Sequence, residues 1–153
     1  MSGDFNFLDP GTVEDEELQL VLILTTTDER GMNGCPCYYF RMQSPRTGQI
    51  MGQLRLRIGD GEGELKYLGH IGYDVDEKHR GNRLAARSVG LILPFAAKHG
   101  LDAVWINCDN ENIASCRTCE ILGAVHIETV EVPEDDVVHE DGIRQLSRYQ
   151  LKL

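Results

Sequence analysis

The most informative part of the sequence is the segment 71–85, which reads Ile71-Gly72-Tyr73-Asp74-Val75-Asp76-Glu77-Lys78-His79-Arg80-Gly81-Asn82-Arg83-Leu84-Ala85. Its apolar start predicts a strand that ends at Val75, and the apolar spacing after Gly81 predicts a helix. The first N–H groups of a helix are unpaired, and the helix dipole attracts anions to them. Because Arg80 and Arg83 add positive charge at this turn, the segment predicts a pyrophosphate cradle. It matches neither the Walker phosphate loop nor the GxGxxG dinucleotide fingerprint.

The distribution of charge also favours an anion site near this turn. The chain has 15 Lys plus Arg against 25 Asp plus Glu, a formal net charge of −10. Such a field repels nucleic acid and anionic membrane surfaces at long range. The segment 78–101 nevertheless has no acidic residue, and its basic residues are Lys78, Arg80, Arg83, Arg87 and Lys98. Both a local site for a small anion and a solvated helix face fit this segment.

The hydrophobic periodicity predicts strands before this segment and alternating helices and strands after it. Apolar and β-branched runs predict strands over 18–27, 38–42, 49–58 and 65–75, with a glycine-rich loop over 28–37. The helical period predicts helices over 81–99, ended by Gly100, and over 112–122, ended by Gly123. Pro94 is expected to kink or break the first helix locally. Further strands are predicted over 103–107, 125–132 and 146–151, so the order predicts a mixed α/β domain of the α+β type.

A single domain over residues 1–153 is expected from the length, with 41% hydrophobic and 26% charged residues. The polar, acidic segment 1–17 predicts a loosely ordered N-terminal arm. No apolar run approaches the roughly 20 residues of a membrane span, and the start lacks the basic and apolar regions of a signal peptide. We therefore expect a cytoplasmic protein with neither a membrane nor a nucleic acid as partner.

The five cysteines allow a different chemistry. In a chain without a signal peptide, we expect them as reduced thiols rather than as a disulfide framework. Cys35 and Cys37 could join Cys116 and Cys119 as four zinc ligands. The second pair, however, falls within a predicted helix and not on a zinc-binding turn. We therefore expect no metal site. A metal-dependent or structural protein that uses the cysteines remains an alternative class of function.

Residues 80–85 resemble a motif of the GNAT (Gcn5-related N-acetyltransferase) family. The family motif is (Arg/Gln)-x-x-Gly-x-(Gly/Ala), which binds the pyrophosphate of acetyl-CoA between the fourth strand and the third helix. Arg80 and Ala85 agree with its two ends, whereas Arg83 replaces its central glycine. Residues 69–73 are also similar to a strand of a bacterial subgroup of predicted acetyltransferases. The resemblance implies a site for acetyl-CoA at Tyr73, Val75, Arg80, Gly81, Asn82, Arg83, Leu84 and Ala85.

A second segment, residues 106–123, is also similar to this family. By that resemblance Asn112 and Ser115, at the start of the second helix, would face the CoA arm. The implied fold is a mixed, mostly antiparallel central sheet with helices on both faces. The segment 28–37 is too short for the one or two helices that usually shape the acceptor pocket, which implies a reduced N-terminal helical region. The pocket would then be open, or completed by a second subunit in a homodimer.

The implied activity is transfer of an acetyl group from acetyl-CoA to a primary amine of a small molecule or a peptide. Direct transfer needs a base for the amine and a proton for the thiolate. His70, with an ordinary pKa near 6.5, is the candidate base, and a sheet-packing role is the alternative. Cys119 takes the place of a family tyrosine and is the candidate acid, although packing is favoured there. The acidic loop 133–141 could attract a cationic amine, and the alternative is a solvated loop without such a role.

A catalytically degenerate protein is the main alternative. The replaced motif glycine, the replaced tyrosine and the reduced acceptor region all favour a chain that binds acyl-CoA as a sensor or scaffold without turnover. Binding of CoA without release of its thiol would distinguish this class from an enzyme.

Overall fold

The computed structural model describes residues 5–29 and 32–153. Within these ranges the chain forms eight strands, β1 (Val13–Glu14), β2 (Gln19–Glu29), β3 (Met32–Gln43), β4 (Ile50–Arg57), β5 (Ile71–Val75), β6 (Ala103–Asp109), β7 (Val125–Glu131) and β8 (Gln145–Lys152). Its helices there are α1 (Leu84–Ala97), α2 (Ile113–Ile121) and the short α3 (Val137–Glu140), with a 3-10 turn over Glu77–His79.

The strands form one mixed sheet in the order β1-β2-β3-β4-β5-β6-β8-β7. Neighbouring strands are antiparallel except at β5 and β6, which are parallel. The crossover between these two strands contains α1, as a parallel connection requires. This arrangement confirms the predicted mixed α/β fold with a mostly antiparallel sheet.

Alternating apolar residues explain how the sheet meets the core. Leu54 and Leu56 of β4 are buried and pair with Phe40 and Tyr38 of β3. Side chains two positions apart lie on one face of a strand, so the four form one layer. On α1 the residues Leu84, Val89, Ile92, Phe95 and Ala96 are buried in the same core.

The helix α1 runs without interruption through Pro94 to Ala97. Of the two predicted effects of this proline, a local break is therefore wrong, and a kink stays a prediction. Gly100, with a φ of +83°, lies just after the end of the helix, in a conformation that glycine adopts without steric cost.

The described part of the N-terminal segment, residues 5–17, contacts the core. The ring of Phe7 lies 5.2 Å from the ring of Tyr38, in an edge-to-face arrangement. Arg87 of α1 pairs with the carboxylates of Asp15 and Glu17 at 2.9 and 3.0 Å. The charge of Arg87 is therefore balanced by the two carboxylates of this segment.

Two predicted boundaries were wrong. The segment 65–70, predicted as the first half of a strand, consists of turns, because Gly69 has a φ of +79° and the Asn107 amide donates to the carbonyls of Lys66 and Tyr67 at 2.7 and 3.1 Å. The predicted loop over 28–37 lies mostly in strands, since β3 begins at Met32. In the described part of the chain, no helix has both the length and the apolar character needed to cross a membrane.

Candidate active site

The two parallel strands at the centre of the sheet separate after a single contact. Within the described residues, Ile71 and Ile106 are the one register pair between β5 and β6. On the other side of β5, the Asp76 N–H donates to the Met51 carbonyl, which fixes the alternation of the antiparallel ladder with β4. By this alternation the main-chain groups of Tyr73 and Val75 point away from β4, into the gap beside β6. The gap therefore offers an exposed row of main-chain donors and acceptors.

A cavity of about 340 Å³ opens at this gap. It is lined by Tyr73, Asp74, Val75, His79, Arg80, Gly81, Arg83, Leu84, Ala85, Asn112, Ala114, Ser115 and Thr118. The structure thus brings together every residue predicted to contact the CoA except Asn82. The Asn82 side chain instead donates to the His79 carbonyl at 3.2 Å and stabilises the turn.

The sequence reasoning missed Asp74, His79, Ala114 and Thr118 among the lining residues. Thr118 lies one helical turn after Ser115, so the helical spacing was a signal that could have found it. His79 directly precedes Arg80, and its place in a 3-10 turn had no sequence signal.

The N-terminus of α1 supplies the positive end of this cavity. Arg83, its N-cap residue, adopts a φ of +57° and makes no capping hydrogen bond with its side chain. No acidic residue lies in the first turn of the helix. The Arg80 side chain donates from Nε to the Val75 carbonyl at 3.1 Å, which ties the turn to the end of β5. The unpaired N–H groups and two guanidinium groups together favour a bound anion.

His79 brings an unsatisfied polar atom to the same cavity. Its Nε2 is buried, and none of the described residues provides a hydrogen-bond partner for it. A buried polar atom without a partner is costly, and a ligand can satisfy it. The residues at this end of the cavity therefore fit the pyrophosphate of a CoA molecule.

Tyr73 and Ser115 link β5 to α2 across the cavity. The two hydroxyl oxygens lie 3.0 Å apart. Burial raises the pKa of the Tyr73 hydroxyl, so it stays protonated near neutral pH. Asn112 caps α2 by accepting a hydrogen bond from the Ser115 N–H at 3.1 Å, which gives this side chain a structural task at the cavity rim.

Cys119 lies beneath the cavity and does not border it. Its side chain is fully buried, and its Sγ is 3.2 Å from the Sγ of Cys108 on β6. The hydrogen bond that the Cys119 thiol donates to Cys108, together with burial, raises the pKa of Cys119. A buried thiol held against the sheet suits a packing role better than proton donation into the cavity.

His70 lies away from both ends of the cavity. Its side chain is 3% exposed. The Trp105 N–H donates to Nδ1 at 2.9 Å, and Nε2 donates to the Gly59 carbonyl at 2.9 Å. With both ring nitrogens engaged, His70 has no free position to accept a proton from an amine. The structure therefore favours the sheet-packing alternative over the predicted base.

The buried histidine makes the stability of the fold depend on pH. Burial lowers the pKa of His70 below its usual 6.5, and the nearby carboxylates of Asp60 and Glu64 oppose this only in part. As the pH falls below about 6.5, the unfolded chain binds a proton that the folded chain resists, so we expect the free energy of unfolding to fall by at most about 1.4 kcal/mol per pH unit. Urea unfolding between pH 7.5 and 5 measures this loss. His70→Gln should remove that component, and an equal slope in the variant would contradict the assignment.

A second cavity, of about 240 Å³, shares the residues Tyr73, Asp74 and Ser115 with the first. Its lining also includes charged residues of both signs, Arg55, Arg57, Asp109 and Asp141. The Asp74 carboxylate pairs with Arg55 at 2.9 Å. Of the acidic residues in the loop 133–141, only Asp141 borders this cavity among the described residues. Both cavities therefore border the place where β5 faces α2, with Tyr73 and Ser115 between them.

The cysteines do not form a metal site in the described part of the chain, where no group of three or more His, Cys, Asp or Glu side chains is placed to hold an ion. Cys119 approaches Cys108, which was not one of the four candidate zinc ligands.

Comparisons with known proteins agree with this architecture. The family model described as an acetyltransferase (GNAT) domain matches residues 8–125. A solved acetyltransferase of the GNAT family from Bacillus anthracis aligns with a TM-score of 0.66 and 15% identity, over 92% of this chain and 98% of that one. No curated protein matches the sequence.

Two further solved structures are similar over a smaller part. An acetyltransferase from Salmonella typhimurium that modifies the N-terminal serine of a 50S ribosomal subunit protein has a TM-score of 0.57 and 17% identity, with 76% of this chain covered. A microcin self-immunity acetyltransferase in complex with acetyl-CoA and AMP has a TM-score of 0.59 and 16% identity, also with 76% covered. This chain spans 64% and 61% of their lengths, and at these identities the likeness shows the fold alone.

Proposed function

The chain belongs to the GNAT acetyltransferase family, and from this premise we propose that it moves an acetyl group from acetyl-CoA to a primary amine. The amine belongs to a small molecule or a peptide. The observation that carries the proposal is the cavity between β5 and β6, which joins a cationic helix N-terminus to an open main-chain edge. These are the features that a pyrophosphate and an extended amide-containing arm need.

Three side chains and the start of α1 hold the pyrophosphate. Arg80 and Arg83 supply charge, and the free Nε2 of His79 supplies a further polar contact. The pantetheine arm then lies along β5, where its amides bond to the main chain of Tyr73 and Val75 as an additional strand would. This placement puts the thioester near Tyr73 and Ser115, which border both cavities.

The reaction is direct transfer from thioester to amine. The acceptor enters through the second cavity, in which Arg55, Arg57, Asp109 and Asp141 provide charges of both signs. A main-chain N–H of β5 stabilises the negative charge that develops on the carbonyl oxygen. Since His70 is fully engaged, the amine loses its proton to water.

A peptide amine is the acceptor that the comparisons favour within this proposal. The Salmonella protein, which has the same fold, modifies the N-terminal serine of a ribosomal protein. The open sheet edge of β7, with Val125 60% exposed and Ile127 48% exposed, supports a homodimer as a further part of the proposal. The five cysteines, which we expect as reduced thiols, keep a cytoplasmic location as a further part of the proposal.

Titration of the protein with acetyl-CoA tests the proposed site. Arg83→Gly removes a charge at the pyrophosphate and keeps the φ of +57°, which glycine adopts without strain. We expect its affinity for acetyl-CoA to fall about tenfold, or roughly 1.4 kcal/mol, because a charge-assisted hydrogen bond is lost. Arg144→Ala, which removes an equal charge outside both cavities, is the matched control. Equal affinities for the wild type and Arg83→Gly would contradict this position for the phosphates.

A non-catalytic acyl-CoA-binding protein is the second candidate. The observation that favours it is the engagement of both His70 nitrogens, which leaves the predicted base unable to act. Binding of acetyl-CoA with no release of CoA thiol, in the presence of a panel of amines and N-terminal peptides, would select this candidate.

A further inference from the structure

We propose that the second cavity selects a primary amine whose neighbouring side chain is apolar and about the size of leucine, an inference that rests on the acetyl transfer proposed above. The cavity has a volume of about 240 Å³, below the roughly 300–1,000 Å³ of pockets that hold drug-sized ligands. Its size therefore suits a single amine with one side chain. A peptide that begins with an apolar residue and a small amine with the same substituent share this chemistry.

One side of this cavity is apolar. The residues there belong to the small hydrophobic cluster beside β8 or pack against it, and they are Tyr67, Leu68, Val138, Ile143 and Leu146. Val138 and Leu146 are buried, whereas the other three are half-buried and keep some exposed apolar surface. An apolar side chain that displaces water from this surface is stabilised by the burial of both.

A carboxylate lies directly beside this apolar wall. Asp109 is the register partner of Leu146 between β6 and β8, so the two side chains share one face of the sheet, with Cβ atoms about 4.5–5.5 Å apart. The Asp109 Oδ1 atom accepts a hydrogen bond from the Glu111 N–H at 3.0 Å, and no cationic side chain of the described residues pairs with this carboxylate. The spacing fits an amine and a side chain that are attached to the same carbon atom.

The other charged groups disfavour an acceptor with a second positive charge. Arg57 is buried and donates to the carbonyls of Leu68 and Gly69, at 3.2 Å each. Arg55 also borders the cavity and pairs with Asp74. The second ammonium group of a diamine would lie against the apolar wall or near these guanidinium groups, and either position is unfavourable for a cation.

Rates of CoA thiol release with a panel of acceptors test the selection. The panel contains two peptides that differ only in their first residue, leucine or serine, together with leucinamide, serinamide, a diamine and an N-blocked lysine peptide. Because one methylene in an apolar pocket changes kcat/KM by roughly 10–200-fold, we expect leucine to exceed serine by about 100-fold. The two amides distinguish a small amine from a peptide as the source of this chemistry.

Two variants separate the apolar wall from the carboxylate. Ile143→Thr keeps a β-branched side chain but makes the wall more polar, so we expect the preference for leucine over serine to fall about tenfold. Asp109→Asn retains an acceptor for the Glu111 N–H, and we expect kcat/KM to fall about tenfold for both peptides with their ratio unchanged. Ile50→Thr, at a position 49% exposed on β4 and outside both cavities, is the matched control and should keep the wild-type values.

The outcomes separate this selectivity from the proposed function. Equal use of the leucine and serine peptides, or faster use of the diamine or the lysine peptide, overturns the selectivity and leaves the acetyltransferase proposal standing. A folded Ile143→Thr protein with the wild-type preference overturns the role of the apolar wall. A wild type that binds acetyl-CoA but releases no thiol with any acceptor overturns both proposals.

Discussion

Gly52→Ala is expected to destabilise the protein by about 3 kcal/mol or more, at the upper end of what overpacking costs. A Cβ at this position would lie 2.3 Å from the Asp74 carbonyl oxygen, 3.0 Å from the Val75 Cα and 3.2 Å from the Met42 sulfur. The first two are main-chain atoms of β5, which cannot move aside without opening the sheet. The loss should appear as a lower denaturation midpoint in urea, with an unchanged dependence on denaturant.

The same substitution should weaken acetyl-CoA binding by about tenfold or more, an order-of-magnitude expectation for a misplaced site. Gly52 is the register partner of Val75, so β5 can relieve the clash only by moving towards the gap where the arm binds. Gly90→Ala is the matched control, because nothing lies within 4 Å of its Cβ and it sits on the exposed face of α1. That control should stabilise the helix by roughly 0.5–1 kcal/mol. A Gly52→Ala protein as stable as the wild type would mean that β4 and β5 are not packed this closely.

Local patterns in the sequence were sufficient to predict most of the fold. Leu54 and Leu56 alternate with Arg55, and β4 follows from this period of two. The helix α1 follows from its period of 3.6 and from Gly100. The wrong boundaries depend on contacts between distant residues. The turns over 65–70 are held by the Asn107 amide from β6, about 40 positions further along the chain, and no local pattern carries that information.

The candidate site was predictable where its residues lie close together in the sequence. Arg80, Arg83 and Ala85 lie within six consecutive residues, and the structure places all three at the cavity. The role of His70 was not predictable, because it depends on the Trp105 N–H that a neighbouring strand presents to its ring. The junction of Tyr73 with Ser115 likewise joins residues 42 positions apart. Propensity and spacing say nothing about which side chains such a sheet and helix bring together.

The second large loss of stability is expected when the buried guanidinium of Arg148 loses its carboxylate partners. Its side chain is fully buried, it pairs with Glu62 at 3.1 Å and with Glu128, and it lies 4.1 Å over the Trp105 ring. It also donates to the Gly61 carbonyl at 2.6 Å, which fixes the turn after β4. Removing both carboxylates, in a Glu62→Ala and Glu128→Ala double variant, would leave this buried charge uncompensated. We expect a loss of about 3–5 kcal/mol.

Removing the cation instead of the two carboxylates should lower the free energy of unfolding much less. In Arg148→Met the two carboxylates are left without a partner, but the side chain of Glu62 is 68% exposed and that of Glu128 is 42% exposed, so water can solvate both. A methionine of similar length retains much of the packing against Trp105, and we expect a loss below about 2 kcal/mol. Adding Arg148→Met to the double variant should therefore recover stability, which urea unfolding of the four proteins measures. Equal losses of stability in the double variant and in Arg148→Met would contradict this expectation. They would show that the ion pairs themselves, rather than the uncompensated buried cation, account for the lost stability.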